Sequence, residues 1–474
     1  LCVSTVLAQL WRGAISGSVH WLPSRFATDN PVSLIEQQMC VVGPASSSSG
    51  QCFSDAIELI PGRMYWASMR CRPETTASTY YFSTDRSLVY TSFFEDFGPL
   101  SLSCMYKYCK LVDDLLKKPE LRGRRIVHYC SEDNRLQANA AFLACAFQVV
   151  VMKKTAEEAW EPFEGVSPPF KPFRDATTGE SRFGLTIQDC LEGLETSIMQ
   201  GLFDWRRFDA ESYDHFEKVE NGDMTWIIPD RLLAFAGPND SCESHANDLD
   251  LSRTTEELAS TFRAAGVALV IRLNKAEYAR EKFLQHGIKH VDLYFKDGSC
   301  PSPTIVAHFL EIVEGQPGPT AVHCKAGLGR TGTLIGLYAM KHHGFSARAF
   351  IGWCRLCRPG SVLGPQQDYL VAMQASMFQA GELLPGVMRH TGRLSPKISH
   401  RSGGHTSGHM DACLRHQDRG QGNRLVRVKK SKQGGCEMPA CSPSSASTKA
   451  SDGSLEHEEE PSSGDSSLID QAAH

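Results

Sequence analysis

The chain has 474 residues, a net charge of −5 at neutral pH and 17 cysteines, and 41% of its side chains are hydrophobic. This length leaves room for two domains and further flexible segments. The weakly acidic balance excludes an overall basic field for nucleic acid or a membrane surface, and cysteines without regular spacing favour a reducing compartment over a disulfide framework.

The first 55 residues carry few structural signals. Residues 2–11 are apolar but have no basic region before them, so they are a weak candidate for a targeting signal. Residues 45–50 contain a serine run of the kind found in flexible linkers. We therefore assign residues 1–55 to an N-terminal extension.

Residues 56–185 have the pattern of a first α/β domain. Residues 58–60 and 63–66 predict a hairpin, and helices are expected around residues 100–118. A strand over residues 124–129 then precedes an alanine-rich helix. The longest apolar run, residues 140–152, is too short to cross a bilayer, so we expect a buried helix and no membrane span.

Residues 186–222 predict a helical linker. Thr186 and Asp189 fit a capping box, and apolar residues follow along one helical face. The linker ends in an acid-rich run that carries Glu217 and Glu220 and leads to Asp223. The general interpretation of such a run is a solvated charged surface.

Residues 223–383 predict a second α/β domain, with strands over residues 231–236, 268–273 and 290–295. The third strand delivers Asp297 and Gly298 onto a loop. An aspartate before a glycine commonly forms a turn, whereas a carboxylic acid placed opposite a nucleophile can protonate a leaving oxygen. The residues alone leave both roles open for Asp297.

Residues 320–332 read TAVHCKAGLGRTG, which predicts a strand ending at Cys324, a glycine loop and a helix starting near Arg330. Loop N–H groups and the positive end of the helix hold a phosphate without a metal, and the same field favours the thiolate form of Cys324. The guanidinium of Arg330 can bind two phosphate oxygens at once. The loop residues predicted to bind phosphate are Lys325, Ala326, Gly327, Leu328 and Gly329.

The spacing of the cysteine and the arginine is not sufficient by itself. Cys413 has Arg419 at the same spacing, but no strand precedes it and no glycine loop follows it. The structural alternative for Cys324 is a buried cysteine in a strand-to-helix turn. The surrounding strand, glycines and Arg-Thr-Gly helix start favour a nucleophile instead.

Two further side-chain roles follow from this interpretation. Thr331 can donate its hydroxyl to the thiolate or cap the helix. Gln366 or Gln367 can orient the hydrolytic water, and the sequence does not decide between them. The histidines and cysteines have no metal-ligand spacing, so we assign no metal.

The strand at residues 124–129 repeats the pattern before the glycine loop. His128 and Tyr129 correspond to His323 and Cys324, and an arginine again follows six residues later. Such a repeat predicts two copies of one domain. Cys130 is one residue out of register, and its loop has acids where glycines would present amides to phosphate, so we interpret the first copy as inert.

At these residues the sequence resembles the Cys-x5-Arg protein phosphatases, and more narrowly the cell-division-cycle fourteen family of dual-specificity phosphatases. The resemblance covers roughly residues 57–374 and rests on HCKAGLGRTG and on the blocks FEDFGPL, PPFKPFRDA, VENGD, CRPGS and GPQQ. It implies an inert N-terminal domain, a catalytic C-terminal domain, no cofactor, and Asp297 as the general acid. Related phosphoinositide phosphatases carry a second lysine at the position of Leu328, which favours a protein substrate here.

The resemblance also implies substrates and a setting. The family prefers phosphoserine followed by proline with a basic residue three positions after the phosphate, as on targets of proline-directed kinases. A groove bearing Glu217, Glu220 and Asp223 could select that base by charge. We expect a role in mitotic exit and locations in the nucleus, the cytoplasm and at the centrosome or spindle.

Residues 384–474 are rich in serine, glycine and charge, which predicts a disordered tail. The basic run at residues 424–432 is a weak nuclear-import candidate. Two other functions remain possible on the sequence. One is a phosphoprotein-binding scaffold that does not turn over substrate, and the other is a phosphatase of lipids or RNA 5′ ends.

Overall fold

The structure is a computed structural model that describes residues 56–238, 240, 253–383 and 420–433. The predicted extension at residues 1–55 and the tail beyond residue 433 lie outside the described residues. Within the described residues, no helix has both the length and the apolar composition that crossing a membrane requires.

The first domain is built on a four-stranded sheet with the strand order β1-β2-β4-β3. Its strands are β1 (Ile57–Ile60), β2 (Met64–Ser68), β3 (Thr79–Phe82) and β4 (Arg125–Cys130). The predicted hairpin is confirmed, because β1 and β2 pair antiparallel, whereas β4 lies parallel to both β2 and β3. The helices that cover this sheet are α1 (Leu102–Lys117), α2 (Asn134–Val150) and α3 (Ala156–Trp160).

Helix α2 is the predicted alanine-rich helix, and it is buried along most of its length. Because alanine is a strong helix former and small, its repeated use lets neighbouring elements approach α2 from several sides. Gln148 is fully buried within it, and its amide pairs with Lys154 and with the carbonyl of Ala159.

The linker contains α4 (Ile187–Met199) and α5 (Ala210–Glu217). The capping box is confirmed, since the Thr186 hydroxyl accepts from the amide of Asp189, whose carboxylate accepts from the amide of Thr186 at 2.7 Å. A Cβ at Gly193 would lie 2.2 Å from the Ala349 carbonyl oxygen, so glycine permits α4 to pack closely on the second domain.

The second domain contains a five-stranded sheet with the order β5-β6-β9-β7-β8. Its strands are β5 (Met224–Ile228), β6 (Leu232–Ala236), β7 (Leu269–Arg272), β8 (Lys289–Asp292) and β9 (Thr320–Cys324). The helices of this domain are α6 (Thr255–Ala264), α7 (Glu281–Leu284), α8 (Pro303–Gly315), α9 (Gly329–His343), α10 (Ala347–Cys357) and α11 (Pro365–Glu382).

The internal repeat is confirmed at the level of strand register. Each sheet starts with an antiparallel hairpin whose second strand lies parallel to the central strand, β4 or β9. Ala67 pairs with Tyr129 in the first sheet as Ala236 pairs with Cys324 in the second. The two domains also share one continuous apolar core, in which the rings of Phe203 and Trp353 lie 6.2 Å apart.

One part of the predicted disordered tail is folded. Helix α12 (Gln421–Gln433) packs against the second domain and belongs to the same compact unit as both domains. This helix includes the basic run proposed for nuclear import. Its composition alone predicts disorder, but it folds here because Leu425 becomes 98% buried and Lys429 pairs with acids of the linker region.

Candidate active site

The phosphate loop connects β9 to α9 at the carboxyl end of the second sheet. Leu328 occupies the N-cap position of α9 and offers no side-chain acceptor, so the first helical N–H groups stay available to an anion. Gly327 has a φ of +67°, and a Cβ there would lie 2.0 Å from the Phe235 carbonyl oxygen. Only glycine fits this turn of the loop.

Cys324 lies at the end of β9 and is 3% exposed. His323, the residue before it, is fully buried and its Nδ1 lies 2.9 Å from the Cys324 carbonyl oxygen. Because a carbonyl only accepts, Nδ1 carries the proton and Nε2 accepts from the Tyr278 hydroxyl at 2.7 Å. Tyr278 accepts in turn from His290 at 2.8 Å.

This chain of hydrogen bonds fixes His323 rather than exposing it to substrate. Burial lowers the pKa of His323 to about 3, so the ring is neutral at physiological pH. His323 therefore orders the start of the phosphate loop through its two ring nitrogens instead of exchanging protons.

Thr331 lies in the first turn of α9, directly after Arg330, and is fully buried. Among the described residues, its Oγ1 has no hydrogen-bond partner. A buried, unpaired hydroxyl is costly, and it becomes satisfied if it donates to a thiolate at the base of the loop. Thr331 thus has a free hydroxyl donor, which its predicted role requires.

Arg330 is 3% exposed and held by backbone carbonyls. Its Nη1 donates to the carbonyl of Phe295 at 2.9 Å and to that of Leu273 at 3.2 Å. Its Nη2 lies 3.1 Å from Oδ1 of Asp297. These contacts fix the plane of the guanidinium, while Nε has no hydrogen-bond partner among the described residues.

Asp297 stands on the loop that follows β8, as predicted, and its side chain is 18% exposed. Its Oδ2 accepts from the backbone N–H of Gly422 in α12 at 2.7 Å. The structure therefore brings together the predicted nucleophile loop, the predicted phosphate-binding Arg330 and the predicted general acid.

The two candidate glutamines are both 1% exposed and have different partners. Gln366 donates to the Ser299 carbonyl at 3.1 Å and accepts from the amide of Leu363 at 3.3 Å. Gln367 accepts from Arg355 at 2.6 Å. Gln366 lies nearer the phosphate loop, because a Cβ on Gly329 would meet its Oε1 at 2.7 Å. A water-orienting role would require Gln366 to release one of its present partners.

The acidic groove contains two of its three predicted carboxylates around one lysine. Lys429 of α12 lies 3.1 Å from Oε1 of Glu217 and 2.8 Å from Oδ1 of Asp223. Glu220 is exposed and its carboxylate lies 3.9 Å from Lys218. The structure thus brings Glu217 and Asp223 together on Lys429, whereas Glu220 faces a different lysine.

An apolar pocket lies beside this acidic groove. It receives Leu425 of α12, which is 2% exposed. The buried side chains that cluster with Leu425 come from both domains and are Phe93, Ala176, Ala326, Leu328 and Leu363. Through Leu425, Lys429 and the amide of Gly422, α12 covers the phosphate loop, the groove and the candidate acid.

The two halves of the chain match two protein-family models. Residues 58–197 match the family described as dual specificity protein phosphatase, N-terminal half. Residues 224–370 match the family described as Swiss Army Knife protein, DSP-PTPase phosphatase domain.

Full-length relatives agree with both matches. The chain is 45% identical over 346 residues to dual specificity protein phosphatase CDC14A of Mus musculus and of Homo sapiens, over 73% of this chain and 57% and 58% of theirs. It is 42% identical over 323 residues to CDC14C of Homo sapiens, over 68% of this chain and 72% of that protein. The chain belongs to the CDC14 family.

The match to CDC14A is limited in length. This CDC14-family chain spans somewhat more than half of the two CDC14A relatives. The predicted family resemblance is confirmed, and the boundaries of its two matched segments agree with a division into an N-terminal and a C-terminal phosphatase-like half.

In the N-terminal half of this CDC14-family chain, carboxylates bind the backbone amides of the loop that corresponds to the phosphate loop. Asp133 accepts from the amides of Arg135 and Leu136 at 2.8 and 3.0 Å, and Asp85 accepts from the amide of Ser131 at 2.8 Å. Burial raises the pKa of the Cys130 thiol, which keeps it protonated. The amides that a phosphate would need are therefore already paired, and the loop has no thiolate.

Three residues that support the candidate site were not predicted to do so. Tyr278 and His290 support His323, but neither lies in a local motif, and the contact depends on three separate elements. Arg358 binds carbonyl oxygens of the phosphate loop. Arg358 is the arginine of the block CRPGS. That block contributed to the family resemblance but did not indicate a role for this arginine.

Proposed function

We propose that this chain is a cysteine-dependent protein phosphatase that hydrolyses phosphoserine, phosphothreonine and phosphotyrosine. The observation that carries the proposal is the position of Arg330, which lies at the phosphate loop and 3.1 Å from the candidate acid Asp297. A site built only to bind phosphoproteins has no need of a carboxylic acid at this position.

The first step transfers the phosphoryl group to the enzyme. The Cys324 thiolate attacks phosphorus, the bond between phosphorus and the side-chain oxygen breaks, and Asp297 gives its proton to that leaving oxygen. Loop N–H groups and Arg330 hold the three equatorial oxygens while charge redistributes.

The second step frees the enzyme. A water molecule attacks the phosphorus of the phosphocysteine, Asp297 now accepts a proton from that water, and the sulfur–phosphorus bond breaks. Inorganic phosphate leaves and Cys324 returns to the thiolate, with the hydroxyl of Thr331 available to stabilise it. No oxidant, metal or organic cofactor takes part in either step.

The acidic groove supports a preference for a basic residue after the phosphate. Lys429 of the same chain already places its ammonium between Glu217 and Asp223, which are the carboxylates that a substrate lysine would meet. A substrate with lysine three residues after its phosphoserine competes with α12 for this site.

The apolar pocket supports a preference for proline directly after the phosphorylated residue. Leu425 fills this pocket in the structure, and a proline ring is a similarly compact apolar group. Leu328 forms part of the pocket and is 1% exposed, so its position offers no second cation for a multiply phosphorylated lipid headgroup. Both features favour a proline-directed kinase site on a protein.

Turnover measurements on matched peptides test this function. The substrates are a phosphoserine-proline peptide with lysine three residues after the phosphate, and the same peptide with that lysine replaced by alanine. We expect turnover of both, with a higher kcat/KM for the lysine peptide. No turnover of either peptide would favour the scaffold function, and faster turnover of a phosphoinositide or an RNA 5′ phosphate would favour the lipid or RNA function.

A further inference from the structure

Arg358 is a buried cation that contacts the phosphate loop from behind. It is 1% exposed and follows directly after the end of α10. Its Nε donates to the carbonyl of Gly327 at 2.8 Å, and its Nη2 donates to the carbonyl of Ala326 at 3.0 Å. One guanidinium therefore binds two consecutive peptide units of the loop.

These two bonds determine where the loop amides point. A trans peptide unit is planar, and its C=O and N–H groups point in opposite directions. The Ala326 carbonyl shares its peptide unit with the Gly327 N–H, and the Gly327 carbonyl shares its unit with the Leu328 N–H. By holding both carbonyls on the outer side, Arg358 directs both N–H groups towards the anion position.

Asp223 fixes the other side of the Arg358 guanidinium. Its Oδ1 lies 2.8 Å from Nη1 of Arg358, and the same oxygen accepts from Lys429 at 2.8 Å. Asp223 is 6% exposed. Burial alone would raise the pKa of its carboxyl, but Arg358 and Lys429 outweigh burial and lower it. Asp223 is therefore charged, and it joins the substrate groove to the phosphate loop.

We propose that Arg358 is a positioning residue for the phosphate loop and that Asp223 acts through it. Asp223 would then support anion binding and turnover for every substrate, including one without a basic residue. This inference rests on the proposed function for its effect on turnover, but its effect on anion binding can be measured without catalysis.

The first test measures the binding of inorganic tungstate, an oxyanion of phosphate shape, by isothermal titration calorimetry on the full chain. Arg358→Lys keeps the charge but cannot bind two carbonyls in one plane. We expect Arg358→Lys to weaken tungstate binding about tenfold. An effect of this size is usual when a contact between two coupled residues is lost. Unchanged affinity in a folded variant would overturn the proposal.

Arg231→Lys is the matched control. Arg231 also uses its guanidinium to bind two backbone carbonyls, those of Val313 and Gln316, at the opposite end of β6. This control reports the general cost of replacing a carbonyl-binding arginine. We expect it to lower the melting temperature while tungstate affinity stays at the wild-type value.

For Asp223→Asn, the direction of the change in tungstate affinity decides the test. Removing a negative charge near an anion site strengthens tungstate binding by simple electrostatics, and loosening α12 would also open the site. The positioning role predicts the opposite, a weaker affinity. Tighter or unchanged binding would overturn the proposal, and this test stands even if Arg358→Lys fails to fold.

A double-mutant cycle then asks whether Asp223 acts through Arg358. It is carried out in a Lys429→Ala background, which removes the other partner of the Asp223 carboxylate. We expect Asp223→Asn to weaken tungstate binding clearly in the presence of Arg358 and by less than about twofold beside Arg358→Lys. Additive effects would overturn the link between the two residues.

An aryl phosphate without any peptide extends the test to catalysis. We expect Asp223→Asn to lower its kcat/KM, although such a substrate has no basic group for the groove. If the wild-type chain binds tungstate but turns over no phosphomonoester, the proposed function fails while the binding measurements still decide the role of Arg358.

Discussion

Nη2 of Arg330 lies 3.1 Å from Oδ1 of Asp297, so the proposed phosphate-binding group directly contacts the proposed general acid. The other carboxylate oxygen of Asp297 accepts from Gly422 of α12. In the proposed mechanism, the leaving oxygen of a substrate therefore displaces the Gly422 amide before Asp297 protonates it.

The role of Asp297 predicts a dependence on the leaving group. Asp297→Asn should lower kcat/KM, which reports the first step alone, by about 10²- to 10⁴-fold on a phosphoserine peptide, because the serine oxygen leaves as a poor alkoxide without a proton. The loss should be much smaller on an aryl phosphate whose phenolate leaves readily. Rapid-mixing kinetics on both substrates check this. Equal losses on both would contradict the role of Asp297, and Asp368→Asn on the exposed face of α11 serves as the control.

We expect Lys429 of helix α12 to compete with the basic residue of a substrate for the acidic groove. Lys429→Ala removes the ammonium that lies against Glu217 and Asp223, so the apparent KM for the lysine-containing peptide should fall a few-fold. Arg427→Ala is the matched control, because Arg427 carries the same charge on the exposed side of the same helix. An unchanged KM for Lys429→Ala would mean that the helix does not compete with substrate at this groove.

Two glycines with nearly the same backbone angle give a matched pair. Gly327 and Gly344 have φ values of +67° and +68°, but a Cβ would meet the Phe235 carbonyl at 2.0 Å only at Gly327, whereas the space at Gly344 is open. Gly344→Ala should cost about 1 kcal/mol of unfolding free energy and leave turnover intact. Gly327→Ala should cost more and lower kcat/KM strongly. Equal effects of the two substitutions would show that the close approach at Gly327 is unimportant.

Two buried histidines predict lower stability in acid. Burial lowers the pKa of His128 and of His323 to about 3, whereas an unfolded histidine titrates near about 6.5. The unfolded chain therefore binds more protons below about pH 6.5, and unfolding free energy should fall by about 1.4 kcal/mol per pH unit for each histidine as the pH drops towards 4.

The measurement is urea unfolding at pH 7, 6 and 5 on His128→Asn, a substitution in the N-terminal half and outside the candidate active site. This variant should be less stable than wild type at pH 7. Its unfolding free energy should also depend less steeply on pH, because the contribution of one histidine is removed. Exposed His308→Asn is the control and should keep the wild-type slope. A wild-type slope in His128→Asn would contradict the assignment of a neutral buried ring.

Local signals explain what the sequence predicted well. The hairpin, the capping box of α4 and the loop after Cys324 each depend on residues close together in the chain, and the structure has all three. The loop could be assigned a chemistry because a glycine turn between a buried strand and an apolar helix has few other uses.

Long-range contacts explain what the sequence did not predict. The folding of α12 depends on a pocket built by both domains around Leu425, and composition alone gave disorder. The supporting roles of Tyr278 and Arg358 require strands and loops far apart in the chain to meet. The first half was interpreted as inert from its acids, but only the structure places Asp85 and Asp133 on the loop amides.

The most direct measurement is acid quenching of the enzyme during turnover of an aryl phosphate, followed by mass spectrometry to locate any covalent phosphate. We expect phosphate on Cys324 in the wild-type chain and in Cys130→Ser, and neither phosphate nor turnover in Cys324→Ser, which should still bind the phosphopeptide. Turnover that persists in a clean preparation of Cys324→Ser, or phosphate found on another residue, would contradict the central assignment.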